Sequence, residues 1–180
     1  MTWMTYDSPF GPLTLAGRPG ALRNVYFPGR APSVAEADRD PVAFTDAAAQ
    51  LNQYFAGERR AFDIALDLVG TTFQLRVWRA LQQIPYGETT TYGMLAKQLG
   101  IVAVKDTPAA RIVAGAIART PAPIVVPCHR VLAANGSLTG YLGGLHRKQA
   151  LLELEADGRA PTLERGQLRR FWQQRQLATL

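Results

Sequence analysis

The first seventy residues alternate between apolar and polar positions. "TWMTYDS" (2–8) and "GPLTLAG" (11–17) flank an "SPFG" turn, and "ALRNVYF" (21–27) follows "GRPG", so three strands are expected. Residues 31–42 are polar and proline-containing, a loop. Phe44, Ala48, Leu51 and Phe55 then fall at i, i+4, i+7 and i+11, one face of a helix ending at Gly57. "FDIALDLVG" sets Phe62, Ile64, Leu66 and Leu68 against Asp63, Ala65 and Asp67, a strand with one buried face. This α+β unit holds no cluster of reactive side chains and reads as a scaffold.

From residue 71 the period becomes helical. "TTFQLRVWRALQQIP" aligns Phe73, Val77 and Leu81, with Trp78 alongside, and stops at Pro85. "YGETTTYGMLAKQLG" offers threonine caps and a short helix closing at Gly100. After "IVAVKD", Thr107 is expected to cap a second helix with Pro108 at its first position. The pair suggests a helix-turn-helix with a long connection. Ile112, Val113, Ala116 and Ile117 can fill one face of the second helix, and the rest is nearly bare backbone around Arg111. A major-groove reader normally displays several polar side chains. Alanine and glycine suit close approach instead, by helix packing or by a shallow minor-groove fit with Arg111 projecting. "LHRKQALLELE" predicts a last helix that buries Leu151 and Leu154 and leaves Arg147 and Lys148 in solvent.

Composition narrows the function classes. Apolar residues make up 47% of 180 and charged residues 19%, as in an ordinary globular protein. No stretch approaches a membrane span, and the N-terminal segment lacks the pattern of a signal peptide, so a cytoplasmic protein is expected. One cysteine and two histidines exclude a disulfide framework and argue against a zinc site. The net charge of +6 is uneven: residues 1–70 carry six basic against eight acidic side chains, and residues 71–180 fourteen against six. A basic second part points to a polyanion, nucleic acid first.

That part holds the one cysteine, in "IVVPCHRV" (124–131) beside His129. Ile124 to Val126 read as a short buried strand, and a helical turn is expected to start near Cys128. A helix N-terminus, Arg130 and a protonated His129 would all favour thiolate there. A buried, inert thiol is the opposing reading. Downstream, Gly140, Gly143 and Gly144 around Tyr141 leave backbone open to a flat ligand beside an aromatic wall. Glu153 or Glu155 could orient His129 as the third member of a thiol–histidine–carboxylate relay.

"PCHRV" (127–131), "GSLTGYLGGLHRKQALLELE" (136–155), "IPYGETTTYGMLA" (84–96) and "ARIVAGAI" (110–117) together resemble the O6-alkylguanine–DNA alkyltransferase family. The resemblance covers nearly all of 72–155, and more loosely extends to that family's ribonuclease H-like N-terminal domain. It implies an α+β chain: a scaffold over 1–70, a mostly helical DNA-binding and catalytic domain with a helix-turn-helix over 71–157, and a basic extension over 158–180. It also implies suicidal DNA repair, in which the alkyl group of O6-alkylguanine, and of O4-alkylthymine in a wider range, passes once to the protein's own cysteine.

By position, Cys128 resembles the alkyl acceptor, His129 the base acting through a water, and Glu155 the carboxylate orienting it. Tyr92 corresponds to the tyrosine that rotates the nucleotide out and protonates the leaving guanine, and Arg111 to the arginine finger that fills the gap. Thr91, Ala110, Ala114 and Gly115 fall at DNA-contacting positions. Val131, Tyr141, Leu142, Gly143 and Thr120 fall around the substrate pocket. The implied partner is double-stranded DNA gripped through its minor groove by a monomer, with no cofactor, metal or membrane. Two departures stand out: Thr120 replaces the family's usual asparagine, and the 101–107 loop is long. A module that recognises alkylated DNA without repairing it is the alternative.

Overall fold

The computed structural model of the chain describes residues 1–157 with the exception of Val34. The basic extension of 158–180, in whose sequence Leu163, Leu168, Trp172 and Leu177 read as anchors, lies outside the described residues.

Strands β1 (Thr2–Ser8), β2 (Gly11–Arg18) and β3 (Ala21–Tyr26) form an antiparallel sheet in that order. The register sets Leu13 opposite Tyr6, and Leu15 between Met4 and Val25, so the apolar set shares one face. The ladder shifts at Ala16/Gly17, where a Cβ on Gly17 would stand 2.2 Å from the Ala21 carbonyl oxygen. Helix α1 (Thr45–Phe55) lies against the sheet: Phe55 meets Phe10 edge to face at 5.4 Å, and the Tyr6 hydroxyl donates to Asn52 Oδ1 at 2.9 Å.

The strand expected over 62–70 does not form as such. This segment runs extended and pairs with β3 at one point, where Leu22 donates to Ala65 and Asp67 donates back to Leu22. Arg18 and Arg23 fix it by ion pairs to Asp67 at 3.3 and 2.5 Å. The alternation survives: Phe62, Ile64 and Leu66 pack on the core while Asp63 and Ala65 are exposed.

The second half is helical. Helix α2 (Thr72–Gln82) starts in a capping box formed by Thr71 and Gln74. A two-residue strand, β4 (Thr90–Thr91), leads into α3 (Tyr92–Gln98), and the Thr91 hydroxyl caps it by accepting from Met94 N–H. Helix α4 (Ala109–Ile117) follows. Its cap differs from expectation by one residue: Pro108 is the cap and Thr107 is not. Both backbone bonds of Thr107 are taken by Val104, which closes a tight turn over Lys105. That turn accounts for the length of the 101–107 loop. Trp78 on α2 donates its indole N–H to the Ala116 carbonyl and so pins α4 from behind.

Residues 124–126 are a correction. The expected buried strand is a tight turn, with Ile124 at φ 79° and Val126 N–H bonded to Ala122. Proline at 121, 123 and 127 removes the donors that a strand would need. A β-branched residue in the left-handed region costs on the order of 1–3 kcal/mol, and burial of Ile124, Val125 and Val126 offsets it. A three-residue 3-10 turn (Cys128–Arg130) and β5 (Val131–Leu132), paired in parallel with β4, complete the segment. Helix α5 (Leu145–Asp157) buries Ala150, Leu151 and Leu154 as expected. One apolar cluster runs without interruption from Met4 to Leu154, so the two halves share a core.

Candidate active site

Pro127 adopts φ −80°, ψ 59°, an inverse γ-turn in which Cys128 N–H bonds to the Val126 carbonyl. This turn presents Cys128 on the wall of a cavity of about 720 Å³. Tyr92 of α3, Ala110, Arg111 and Ala114 of α4, and Tyr141 and Leu142 of the glycine-rich loop line the same cavity. Residues singled out in three separate parts of the sequence, Gly140 among them, thus meet at one opening, joined by Arg30 from the sheet half.

Behind the cysteine lies a buried ionic cluster centred on Glu155. Its Oε1 accepts from His129 Nε2 at 2.7 Å, the Tyr54 hydroxyl at 2.7 Å and Arg130 Nη2 at 2.9 Å. Its Oε2 accepts from Arg130 Nε at 2.8 Å and Gly87 N–H at 3.3 Å. Burial pushes the carboxyl upward, but the hydrogen bonds of His129 and Arg130 and the Arg130 charge prevail and hold it well below the usual carboxylate range. Glu155 is therefore the carboxylate that orients the histidine; Glu153 faces outward and bonds Gln149.

An ionised carboxylate only accepts, so the His129 proton sits on Nε2 and the Nδ1 lone pair is free. His129 is fully buried, and burial keeps its pKa below 6.5 despite the glutamate, so the ring is neutral at pH 7. Nδ1 has no hydrogen-bond partner, so the ring does not bond the thiol directly.

Of the two readings of the thiol, the one expecting thiolate fails at rest, because the influences that favour it do not prevail over burial. Burial pushes the Cys128 thiol up to about 12, against the smaller downward pull of a Thr120 hydrogen bond and the Lys148 charge. A single 3-10 turn has too few aligned peptides to act as a helix dipole. Arg130 spends its charge on Glu155 and the Ile84 carbonyl rather than on sulfur.

The remaining expected positions lie just outside the cavity. Thr120 is 2% exposed; its hydroxyl donates to Ile117 O at 2.7 Å and also reaches the Cys128 thiol. Thr91 caps α3, and Gly115 offers its carbonyl to Arg119. Val131 is wholly buried, its carbonyl accepting from Lys148. Gly143 packs on Phe27, where a Cβ would come within 2.6 Å of the ring. Tyr92 donates its hydroxyl to Thr139 O at 3.2 Å, and Tyr141 stands edge-on to Phe27.

Sequence reasoning missed Arg30 of the cavity wall and several members of the buried surroundings. Tyr54 joins the cluster across 101 positions of sequence, and no local signal marks it. Gly87 adds a backbone donor. Arg130 was visible, but its target was not. Lys148, expected in solvent, is fully buried, because its long stem carries the ammonium to two carbonyls inside.

Two family models match this chain, the 6-O-methylguanine DNA methyltransferase ribonuclease-like domain over residues 1–68 and the DNA binding domain of the same family over 72–157. The methylated-DNA–protein-cysteine methyltransferase of Mycobacterium tuberculosis is 53% identical over 161 residues, 88% of this chain and 94% of the relative. That of Methanosarcina acetivorans is 45% identical over 158 residues, 86% of this chain and 98% of the relative. A crystal structure of M. tuberculosis OGT in complex with DNA superposes with a TM-score of 0.80 at 52% identity, covering 90% of this chain and 96% of the other. With both halves matched and the cysteine on the wall of a cavity that both line, the chain belongs to the 6-O-methylguanine DNA methyltransferase family.

Proposed function

We propose that this protein repairs O6-alkylguanine in double-stranded DNA by moving the alkyl group, once and irreversibly, onto Cys128. The observation that carries the reading is Cys128 on a cavity wall, with the neutral His129 and its Glu155 clamp directly behind. The nucleotide flips into the cavity, where Tyr141, Leu142 and the backbone at Gly143 bound the base. Arg111 projects from α4 into the space left in the duplex, while Ala110, Ala114, Gly115 and Thr91 let the backbone approach the minor groove.

The thiol proton passes through a bridging water to His129 Nδ1, which Glu155 and Arg130 hold in place. The sulfur lone pair attacks the alkyl carbon in line. An S–C bond forms as the C–O6 bond breaks, and the released electron pair returns to the guanine. Tyr92 gives that guanine its proton, and the thiol proton replaces it, so the step balances without a cofactor. Because the resting thiol lies near 12, sulfur reaches nucleophilic form only as His129 takes its proton. Thr120, whose single proton serves either Ile117 or sulfur, turns to the thiolate as it forms.

Residues 1–70 act as a scaffold lending Tyr54 and Arg30, and residues 71–157 carry the chemistry. The protein works as a cytoplasmic monomer; among the described residues no helix is long and apolar enough to cross a membrane. Recognition without repair is disfavoured by the cysteine at the cavity.

The test is mass spectrometry after mixing with a duplex carrying O6-methylguanine. One methyl on the Cys128 peptide and then no further reaction is expected. Multiple turnovers, or binding with no methyl gained, overturn the assignment. Cys128→Ala should retain duplex binding and gain no methyl.

A further inference from the structure

The connection between α3 and α4 is longer than the tight turn a helix-turn-helix needs, and alkyl transfer as derived above leaves it unused. Its extra length is shaped rather than slack. Ile101 N–H bonds to the Ala96 carbonyl, and the Ile101 side chain packs on the core. Val104 and Thr107 then exchange both backbone hydrogen bonds, each at 3.0 Å, and close a hairpin whose tip is Lys105 and Asp106. Pro108 follows directly as the cap of α4, and its carbonyl accepts from Arg111 N–H at 2.9 Å. The hairpin is therefore joined without slack to the helix that carries Arg111 to the cavity rim.

The hairpin displays an unusual surface. Lys105 stands at φ 51°, in the left-handed region that glycine or asparagine enters more readily. It is exposed, and its ammonium has no ion pair among the described residues. Beside it Val102 and Val104 are 74% and 57% exposed, with Met94 of α3 also bare. Single exposed apolar side chains are ordinary, but these lie together on one helix and its connection, next to the opening between Tyr92 and Arg111. An unpaired cation flanked by apolar groups matches the minor groove, whose deoxyribose walls are apolar and whose edges are phosphate. Six residues separate Lys105 from Arg111, at most about 20 Å of chain. A phosphate met by Lys105 thus lies within about one duplex turn of the base that Arg111 replaces. We propose that the Val104–Thr107 hairpin is a second, sequence-independent grip on the duplex: Lys105 pairs with a backbone phosphate, and Val102 and Val104 lie against the sugar walls of the minor groove. Asp106, beside the lysine at the tip, opposes the same phosphate, so the two charges predict opposite effects.

This inference takes its partner from the alkyl-transfer reading, and separate readouts distinguish their failures. Methyl gain on Cys128 judges that reading; binding to an undamaged duplex judges the hairpin. Binding of the full chain is followed by fluorescence anisotropy between about 50 and 200 mM salt, with a melting midpoint to show that each variant folds. Lys105→Gln should weaken binding and reduce the slope of log affinity against log salt by about 1. Asp106→Asn should tighten binding. Val102→Ser combined with Val104→Ser should weaken binding at every salt concentration with the parent's slope, because apolar contacts release no counterions. A folded Lys105→Gln with the parent's slope overturns the proposal. Unaltered affinity in the double valine variant also overturns it, and leaves the apolar patch to a protein partner. Should Lys105→Gln not fold, acetylation of the unsubstituted protein's lysines, with and without duplex, decides. Protection of Lys105 by the duplex is expected, and equal acetylation in both overturns the proposal.

Discussion

At Glu155 five hydrogen bonds from α1, the Gly87 loop and the Cys128 turn converge on two oxygens. Removing the carboxylate leaves Arg130 charged and without its partner in the core. Glu155→Ala should therefore lose about 3–5 kcal/mol, read by urea unfolding, whereas the outward Glu153→Ala should stay within about 0.5 kcal/mol of the parent. Equal effects would contradict the clamp. Cys128 and His129 stood out in the sequence by residue type, whereas Glu153 and Glu155 stayed open on the residues alone and only the family resemblance pointed to Glu155, the one that the structure bonds to His129. Protonation was not legible. Whether a cysteine beside His-Arg is a thiolate depends on burial and on where the arginine turns, and Arg130 turns away from sulfur.

Two elements fix the mouth of the cavity, and each gives a separable test. In the glycine-rich loop, a Cβ on Gly143 would meet Phe27 at 2.6 Å and Tyr141 at 2.9 Å. Gly143→Ala should cost about 1–3 kcal/mol of stability and slow transfer by displacing Tyr141, measured as a melting midpoint beside a single-turnover rate. On α4, Arg111 is exposed at the rim. Arg111→Ala should slow reaction with duplex more than reaction with a free alkylguanine base, and equal losses would remove its role in flipping. The helices were readable because periodicity is local, and Thr91 caps α3 from among the threonines expected there, although Thr107 does not cap α4. The apolar run at 124–126 was not readable. Periodicity cannot separate a buried strand from a buried turn, and the flanking prolines were the overlooked signal. Lys148 was misplaced for a related reason, since helical phase gives the side of the helix but not the reach of a four-carbon stem.

For the molecule as a whole, the buried cluster sets the acid limit of the fold. The folded pKa of His129 lies below 6.5 and that of Glu155 below 4.5, so the unfolded chain binds more protons at acid pH. As pH falls from 7, stability should decline first below 6.5 as His129 must charge, and again below 4.5 as Glu155 must protonate. Urea midpoints across this range check it, and Glu155→Gln should flatten the second decline. A midpoint indifferent to pH between 7 and 4 would contradict the buried cluster. The division into a sheet-rich front and a helical, basic back was legible from alternation and charge. The fusion of both halves into one core was not, because it depends on pairs such as Tyr54 and Glu155 that only folding brings together.

That fusion bears on how the chain could be taken apart. Residues 69–72, the stretch between the halves, are exposed, whereas the contacts that complete the relay pass through the interior from Tyr54 to Glu155. Continuity of the peptide there is incidental to the chemistry, and a protease nick at 69–72 would leave the relay's bonds intact. Of the two fragments, made separately, the second would carry the cysteine and its relay and the first only Tyr54 and Arg30, so the gain in alkyl-transfer rate on mixing would report their assembly.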